Sequence, residues 1–165
     1  MAIPSLHTPR LRLRHYSPND TDAFVALNAD PQVRKHVGGL LTQQKAEQYL
    51  CRFIASTGSD RMLAWAVETL EGGNYIGHVW LDRDGFSQTA EAGIIISRKS
   101  WGRGYGTEAL SAVVKYARQS LNLPRIIATV DPDNERSKAM LVSSGYRYVG
   151  LDSDAEGEFY VYTHE

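Results

Sequence analysis

The chain has little of what would assign it to several large protein classes. Cys51 is its only cysteine in 165 residues, which excludes an internal disulfide. No apolar run approaches the roughly 18 residues of a membrane span, and Met1 to Arg14 lacks the apolar core of a signal peptide. His7, His15, His36 and His164 are scattered without ligand spacing, so no metal is expected. Charge of either sign is not in excess: 18 Lys and Arg against 19 Asp and Glu give a formal net charge of -1. That balance offers no electrostatic case for nucleic acid or an anionic membrane as partner. Neither an internal repeat nor a low-complexity segment is present. The expectation is a cytoplasmic protein, monomer or homodimer, with one domain over residues 1–165.

What is present is a chain that is 42% hydrophobic and patterned for mixed α/β structure. Leu11 and Leu13 alternate with arginines as an edge or near-edge strand. Ala23, Phe24 and Leu27 lie at helical spacing, in a helix expected to stop near Asp30-Pro31. Thr42 caps a second helix whose stripe is Ala46, Tyr49, Leu50, Phe53 and Ile54, ending by Thr57-Gly58, with Cys51 expected at a buried or boundary position. Met62 to Glu68 and Tyr75 to Leu81 read as antiparallel partners, followed by a turn at Asp84-Gly85. Gly93 to Ser97 is apolar on both faces and reads as a central strand. A helix then runs from Thr107 with Leu110, Val113, Val114 and Ala117 inward. Arg125 to Val130 is a strand, Glu135 to Ser144 a helix capped by Gly145, and Tyr146 to Val149 and Phe159 to Thr163 are the last strands. This order implies an α+β type of α/β fold, a mostly antiparallel sheet flanked by helices, and not a doubly wound nucleotide fold.

Between the central strand and its helix lies Trp101-Gly102-Arg103-Gly104-Tyr105-Gly106-Thr107-Glu108. Alternate glycines let the backbone approach a ligand, and the N–H groups of a helix's first turn are ready donors to an anion. The same glycines also suit a tight packing turn. No GK[ST] phosphate loop is present, and Gly102-x-Gly104-x-Gly106 is one residue short of GxGxxG, so a nucleotide-binding domain is the weaker reading.

The chain resembles the GNAT superfamily of acetyl-CoA-dependent N-acetyltransferases, in the branch of ribosomal-protein N-terminal acetyltransferases. Leu6-x-Thr8-x-Arg10-Leu11-x-Leu13-Arg14 is similar to the branch's opening signature. Glu91-Ala92-Gly93, then Trp101 to Ala109, is similar to its "EIGY…WGKGYATEA" block, and Asn134-x-x-Ser137 with Gly145-Tyr146 to its "NxxS…GF" block. The resemblance implies a GNAT fold with acetyl-CoA as co-substrate. The pyrophosphate would meet the backbone of Gly102, Arg103, Gly104, Tyr105, Gly106 and Thr107, with Arg103 adding charge, while Trp101 and Tyr105 also suit packing. The pantetheine arm would pair with the strand edge from Ile94 through Ile95 and Ile96 to Ser97, and Asn134 would hold that arm or its water.

Acetyl transfer to an amine requires a neutral nucleophile, donors to the developing oxyanion and a proton for the departing thiolate. Direct attack needs no covalent enzyme intermediate, so Cys51 is not required. Glu91 and Glu156 are the base candidates, each equally readable as a carboxylate facing solvent or substrate. Glu156 belongs to an acidic loop with Asp152, Asp154 and Glu158. Ser137 is the candidate proton donor or a helix-capping residue, and Met140 and Leu141 stand where other GNAT enzymes place a tyrosine. His78, alternating with Ile76 and Trp80, reads as a satisfied core or cleft histidine. A protein N-terminal α-amine is the leading acceptor. A polyamine or antibiotic amine, or a CoA-binding regulatory module without turnover, are the alternatives.

Overall fold

A computed structural model describes residues 2–56, 60–83 and 88–165. Eight strands form one sheet: β1 (Leu6–His7), β2 (Leu11–Arg14), β3 (Met62–Thr69), β4 (Tyr75–Arg83), β5 (Thr89–Ile96), β6 (Arg125–Val130), β7 (Arg147–Asp154) and β8 (Gly157–His164). Their spatial order is β1-β2-β3-β4-β5-β6-β8-β7. Every neighbouring pair is antiparallel except β5 with β6. The helices are α1 (Thr21–Asn28), α2 (Pro31–Arg34), α3 (Gln43–Ala55), α4 (Tyr105–Gln119) and α5 (Glu135–Ser143).

At its centre the sheet is buried on both faces, which is why β3 is apolar along almost its whole length. One face sets Leu63, Trp65 and Val79 against Leu110, Val113 and Ala117 of α4. Each fully buried side chain of this size contributes about 2 kcal/mol. Trp65 is wholly buried and donates Nε1–H to the Pro4 carbonyl at 2.8 Å, so its polar atom is not stranded. The other face places Ala64 and Ala66 beneath Phe24 of α1 and Leu50 of α3. The small residues of β3 leave room there for aromatic rings.

Several boundaries depart from the sequence reading. Asp30-Pro31 starts α2 instead of only ending α1, because Asp30 Oδ1 accepts from Gln32 N at 2.8 Å and Pro31 suits the first helical position. α3 ends at Ala55, and the stop expected at Thr57-Gly58 falls outside the described residues, as does the turn at Asp84-Gly85. β5 begins at Thr89, so Glu91 lies within the central strand. α4 begins at Tyr105, two residues before Thr107. β7 and β8 run on to Asp154 and from Gly157, so most of the acidic "loop" is paired strand. Cys51 is exposed, because Ala46 and Leu50 take the inward stripe of α3 and the next residue turns outward.

Candidate active site

β5 and β6 pair only at Thr89–Arg125, Ala90–Ile126 and Glu91–Ile127. Beyond Glu91 the two strands diverge, and one edge of β5 is left without a strand partner. Ser97 N donates to Ile76 O at 2.7 Å on the β4 side. The antiparallel alternation therefore turns the backbone of Ile95 toward β4 and that of Ile94 and Ile96 toward the open side. Trp101 Nε1 donates to Ile96 O at 2.7 Å, which fixes the strand's exit and leaves the Ile94 groups exposed along the fork.

At the end of that edge Gly104, with φ of 76°, caps α4 without any side-chain acceptor. The first intrahelical bond starts at Glu108 N, so the N–H groups of Tyr105, Gly106 and Thr107 have no partner inside the helix. The opening is held from behind by the N-terminal residues. Thr8 Oγ1 donates to Glu108 Oε1 at 2.5 Å, Arg10 Nε to Glu108 Oε2 at 2.7 Å, and Arg10 Nη1 to Arg103 O at 2.9 Å. Burial would raise the Glu108 pKa, but these hydrogen bonds hold it below the ordinary value. The opening signature and the glycine turn are thus one mechanical unit.

A groove of about 270 Å³ runs along this region. It brings together Ile95, Ile96, Gly102, Gly104, Tyr105, Gly106, Thr107, Asn134 and Ser137. Ser97 and Arg103 do not line it. Arg136, which the sequence reading missed, does: its guanidinium lies over the Trp101 ring, 3.4 Å from the centroid. The signal available was its position inside Asn134-x-x-Ser137, a cation on the first turn of the facing helix. Asn134 Oδ1 accepts from Ser137 N at 3.2 Å, so this oxygen caps α5, while the amide nitrogen makes no hydrogen bond among the described residues.

A wider cleft of about 1080 Å³ continues past the fork and is lined by both Glu91 and Glu156. Glu91 accepts a hydrogen bond from Thr129 Oγ1 at 2.8 Å, which joins β5 to β6 just as their ladder ends. Glu156 lies at the tip of the β7–β8 hairpin, where its N–H donates to Asp154 Oδ1 at 2.8 Å. His78 is buried as expected but not satisfied: among the described residues neither ring nitrogen has a hydrogen-bond partner, and Nδ1 is shut off from solvent. Burial, with Arg34 adding to it, pushes its pKa down to about 3, so it is a neutral imidazole and not a proton acceptor at physiological pH. Among the described residues no cluster of His, Cys, Asp and Glu suits a metal, and no helix is long and apolar enough to cross a membrane.

The fork in a mostly antiparallel sheet and a helix start without a side-chain cap lie together along the groove. The family described as "Acetyltransferase (GNAT) domain" matches residues 10–147, and the chain belongs to that family. An N-acetyltransferase of Bacillus subtilis, YoaA, is 30% identical over 157 residues, covering 90% of this chain and 86% of its own. A ribosomal alpha-N-protein acetyltransferase, RimL, in complex with coenzyme A superposes with a TM-score of 0.85 at 13% identity, over 98% of this chain and 97% of its own. A spermidine N-acetyltransferase from Vibrio cholerae, in complex with CoA and spermine, does so with a TM-score of 0.80 at 19% identity, over 95% and 96%. At those identities the two structures speak for the fold.

Proposed function

We propose that the enzyme transfers the acetyl group of acetyl-CoA by direct attack to a primary amine, an α-amine such as that of a protein N-terminus before a lysine. The observation that carries this reading is the divergence of β5 from β6 beside the start of α4, whose first N–H groups have no side-chain cap. The open edge at Ile94 offers an extended amide arm a donor and an acceptor, as a further strand would. The N–H groups of Tyr105, Gly106 and Thr107, with Arg136 facing them, suit a pyrophosphate. A Cβ built on Gly102 meets no atom within 4 Å, so the turn is open where such a group would lie.

In the transfer, the amine nitrogen forms a bond to the thioester carbonyl carbon, the C–S bond breaks, and the thiolate takes up a proton. An α-amine, with a pKa of about 7.7 to 8.0, is roughly a tenth neutral at pH 7, whereas a lysine amine at about 10.4 is almost wholly charged. Only modest help is therefore needed, and Glu91 acting through water supplies it. Ser137, which borders both groove and cleft, supplies the proton to sulfur.

CoA release in the presence of acetyl-CoA and an amine panel tests the reading. Acetylated product from at least one primary amine is the expected result. Tight acetyl-CoA binding with no transfer to any amine between pH 6 and about 9, where every α-amine becomes neutral, would make the protein a CoA-binding regulatory module instead.

A further inference from the structure

Beneath α1 and α3 lies a second cavity, of about 620 Å³, that the donor site does not use. It opens onto the same point of the sheet. Ile95 borders both this cavity and the groove, and Arg34, Tyr49, Arg52 and Trp80 border both the cavity and the wide cleft. A guest in it would therefore reach the fork from the side opposite the glycine turn.

The walls are aromatic. Phe24, Phe53 and Trp80 enclose His78, whose ring stacks on Phe24 with centroids 5.4 Å apart and planes at 24°. Gly93 makes this possible, because a Cβ there would stand 2.0 Å from the Trp80 indole. His78 lines this apolar enclosure without a hydrogen-bond partner among the described residues, and because Nδ1 is shut off, Nε2 is the ring nitrogen a guest can meet. A ligand atom able to hydrogen-bond to that nitrogen would satisfy a polar group that is otherwise unpaired.

Charge across the opening is divided. On the helical side Arg34 is half-buried, donates Nε to Gly39 O at 2.7 Å and Nη1 to Asn28 Oδ1 at 3.4 Å, and meets no carboxylate among the described residues. Arg52 lies over the Tyr49 ring at 4.5 Å and has no carboxylate partner among them either. Asp60 is the single acid on this cavity among the described residues, and Arg61 is paired with Asp82. Lys35 and Lys45 extend the basic wall into the cleft. The same cleft is also lined by Asp154, Glu156, Glu158 and Glu91, while Asp131 is taken up by His36. A cation whose burial is uncompensated, and a set of acids lining the same cleft, suit a ligand carrying both signs of charge.

We infer that the acceptor is a zwitterionic α-amino acid with an aromatic side chain that bears a hydrogen-bonding atom. The side chain occupies the cavity against His78, the carboxylate pairs with Arg34, and the amine turns toward Glu91 and the acidic hairpin. The inference rests on the amine-acetylating reading above and narrows its acceptor. A cavity of this size is that of a small-molecule site. A polyamine would set cations against Arg34 and Arg52, and a protein N-terminus carries no α-carboxylate.

The experiment compares tryptophan and tyrosine with tryptamine and tyramine, which lack the carboxylate, with phenylalanine, which lacks the polar ring atom, and with spermidine and a Ser-Ala peptide. Turnover is read with acetyl-CoA, and binding by calorimetry with CoA present. Tryptophan or tyrosine should bind and be acetylated, with kcat/KM at least about tenfold above the decarboxylated amines and above phenylalanine. Arg34→Gln should raise KM for the amino acid at least about tenfold and leave that for tryptamine unchanged. Equal use of tryptophan and tryptamine, or turnover confined to spermidine or the peptide, overturns this inference while leaving acetyl transfer intact. Binding of tryptophan without transfer of acetyl to any amine overturns the transferase reading and leaves the subsite. Absence of both binding and turnover for the two amino acids overturns the subsite.

Discussion

His36 Nδ1 lies 2.9 Å from Asp131 Oδ2, so the segment after α2 is tied to the residue that follows β6, across the mouth of the fork. The hydrogen bond from His36 is the main reason the Asp131 pKa is held below its ordinary value, with the Asp133 N–H second. A carboxyl lowered in the folded state stabilises above the unfolded value, about 3.9, and that contribution is lost as pH falls through the lower folded value. His36→Ala should therefore move the Asp131 titration upward, read from its side-chain carboxyl carbon by NMR. An unmoved midpoint would show that the tie does not exist in solution.

Gly104 sits at φ of 76°, in the left-handed region, at the cap of α4. Gly104→Ala forces a Cβ into that conformation at a cost of about 1 to 2 kcal/mol. The added atom also lands 3.4 Å from the Arg10 guanidinium, on the group that steadies the turn. The expected outcome is a Tm lower by a few degrees, about 2 to 4 °C per kcal/mol for a chain of this size. CoA affinity should fall at least about tenfold, since two or more N–H donors are displaced. Unaltered affinity by calorimetry would separate the glycine turn from CoA binding.

The order of elements was legible because the apolar periods are clean: Leu110, Val113, Val114 and Ala117 on α4, and three isoleucines in succession on β5. The boundaries that slipped did so where tertiary contacts or a local cap overrode composition. Asp30-Pro31 carries a helix-start geometry that a reader of proline as a breaker passes over. Residues 152 to 158 look like a solvated loop by charge, yet backbone pairing with one another makes them a hairpin. At the site, the residues from Gly102 to Thr107 could be placed from one stretch of chain. The clamp of Thr8 and Arg10 on Glu108, and the packing of Phe24 and Phe53 on His78, join residues separated by 25 positions or more, for which a single sequence carries no local signal.

Glu91 and Glu156 line one cleft but differ in support. Glu91 is fixed by Thr129 at the end of the β5–β6 ladder, whereas Glu156 is exposed at a hairpin tip. If Glu91 takes the amine proton through water, Glu91→Gln should lower kcat by about 10² or more at pH 7 and lose less as pH rises and the amine neutralises itself. Glu156→Gln should act on KM alone. Reversal of the two patterns in steady-state kinetics would exchange the roles.

Arg14 joins β2 to the start of α1, with Nη1 donating to Asp20 Oδ2 at 2.9 Å, Nη2 to Asp20 Oδ1 at 2.8 Å, and Nε to Glu68 Oε2 at 2.7 Å. Asp20 is buried, and burial would raise its pKa, but the hydrogen bonds from Arg14 and from Ser17 outweigh this and leave it below the ordinary value. The pair therefore stabilises the fold above about pH 3.9 and is lost as pH falls through the lower folded value. Removing one partner strands the other. Asp20→Ala should cost about 3 kcal/mol at pH 7, the low end for a broken buried pair because Arg14 keeps Glu68. That difference should shrink when urea unfolding is repeated below the folded Asp20 pKa, where the wild-type carboxylate is itself protonated. A cost that persists undiminished at that pH would assign the loss to packing and not to the ion pair.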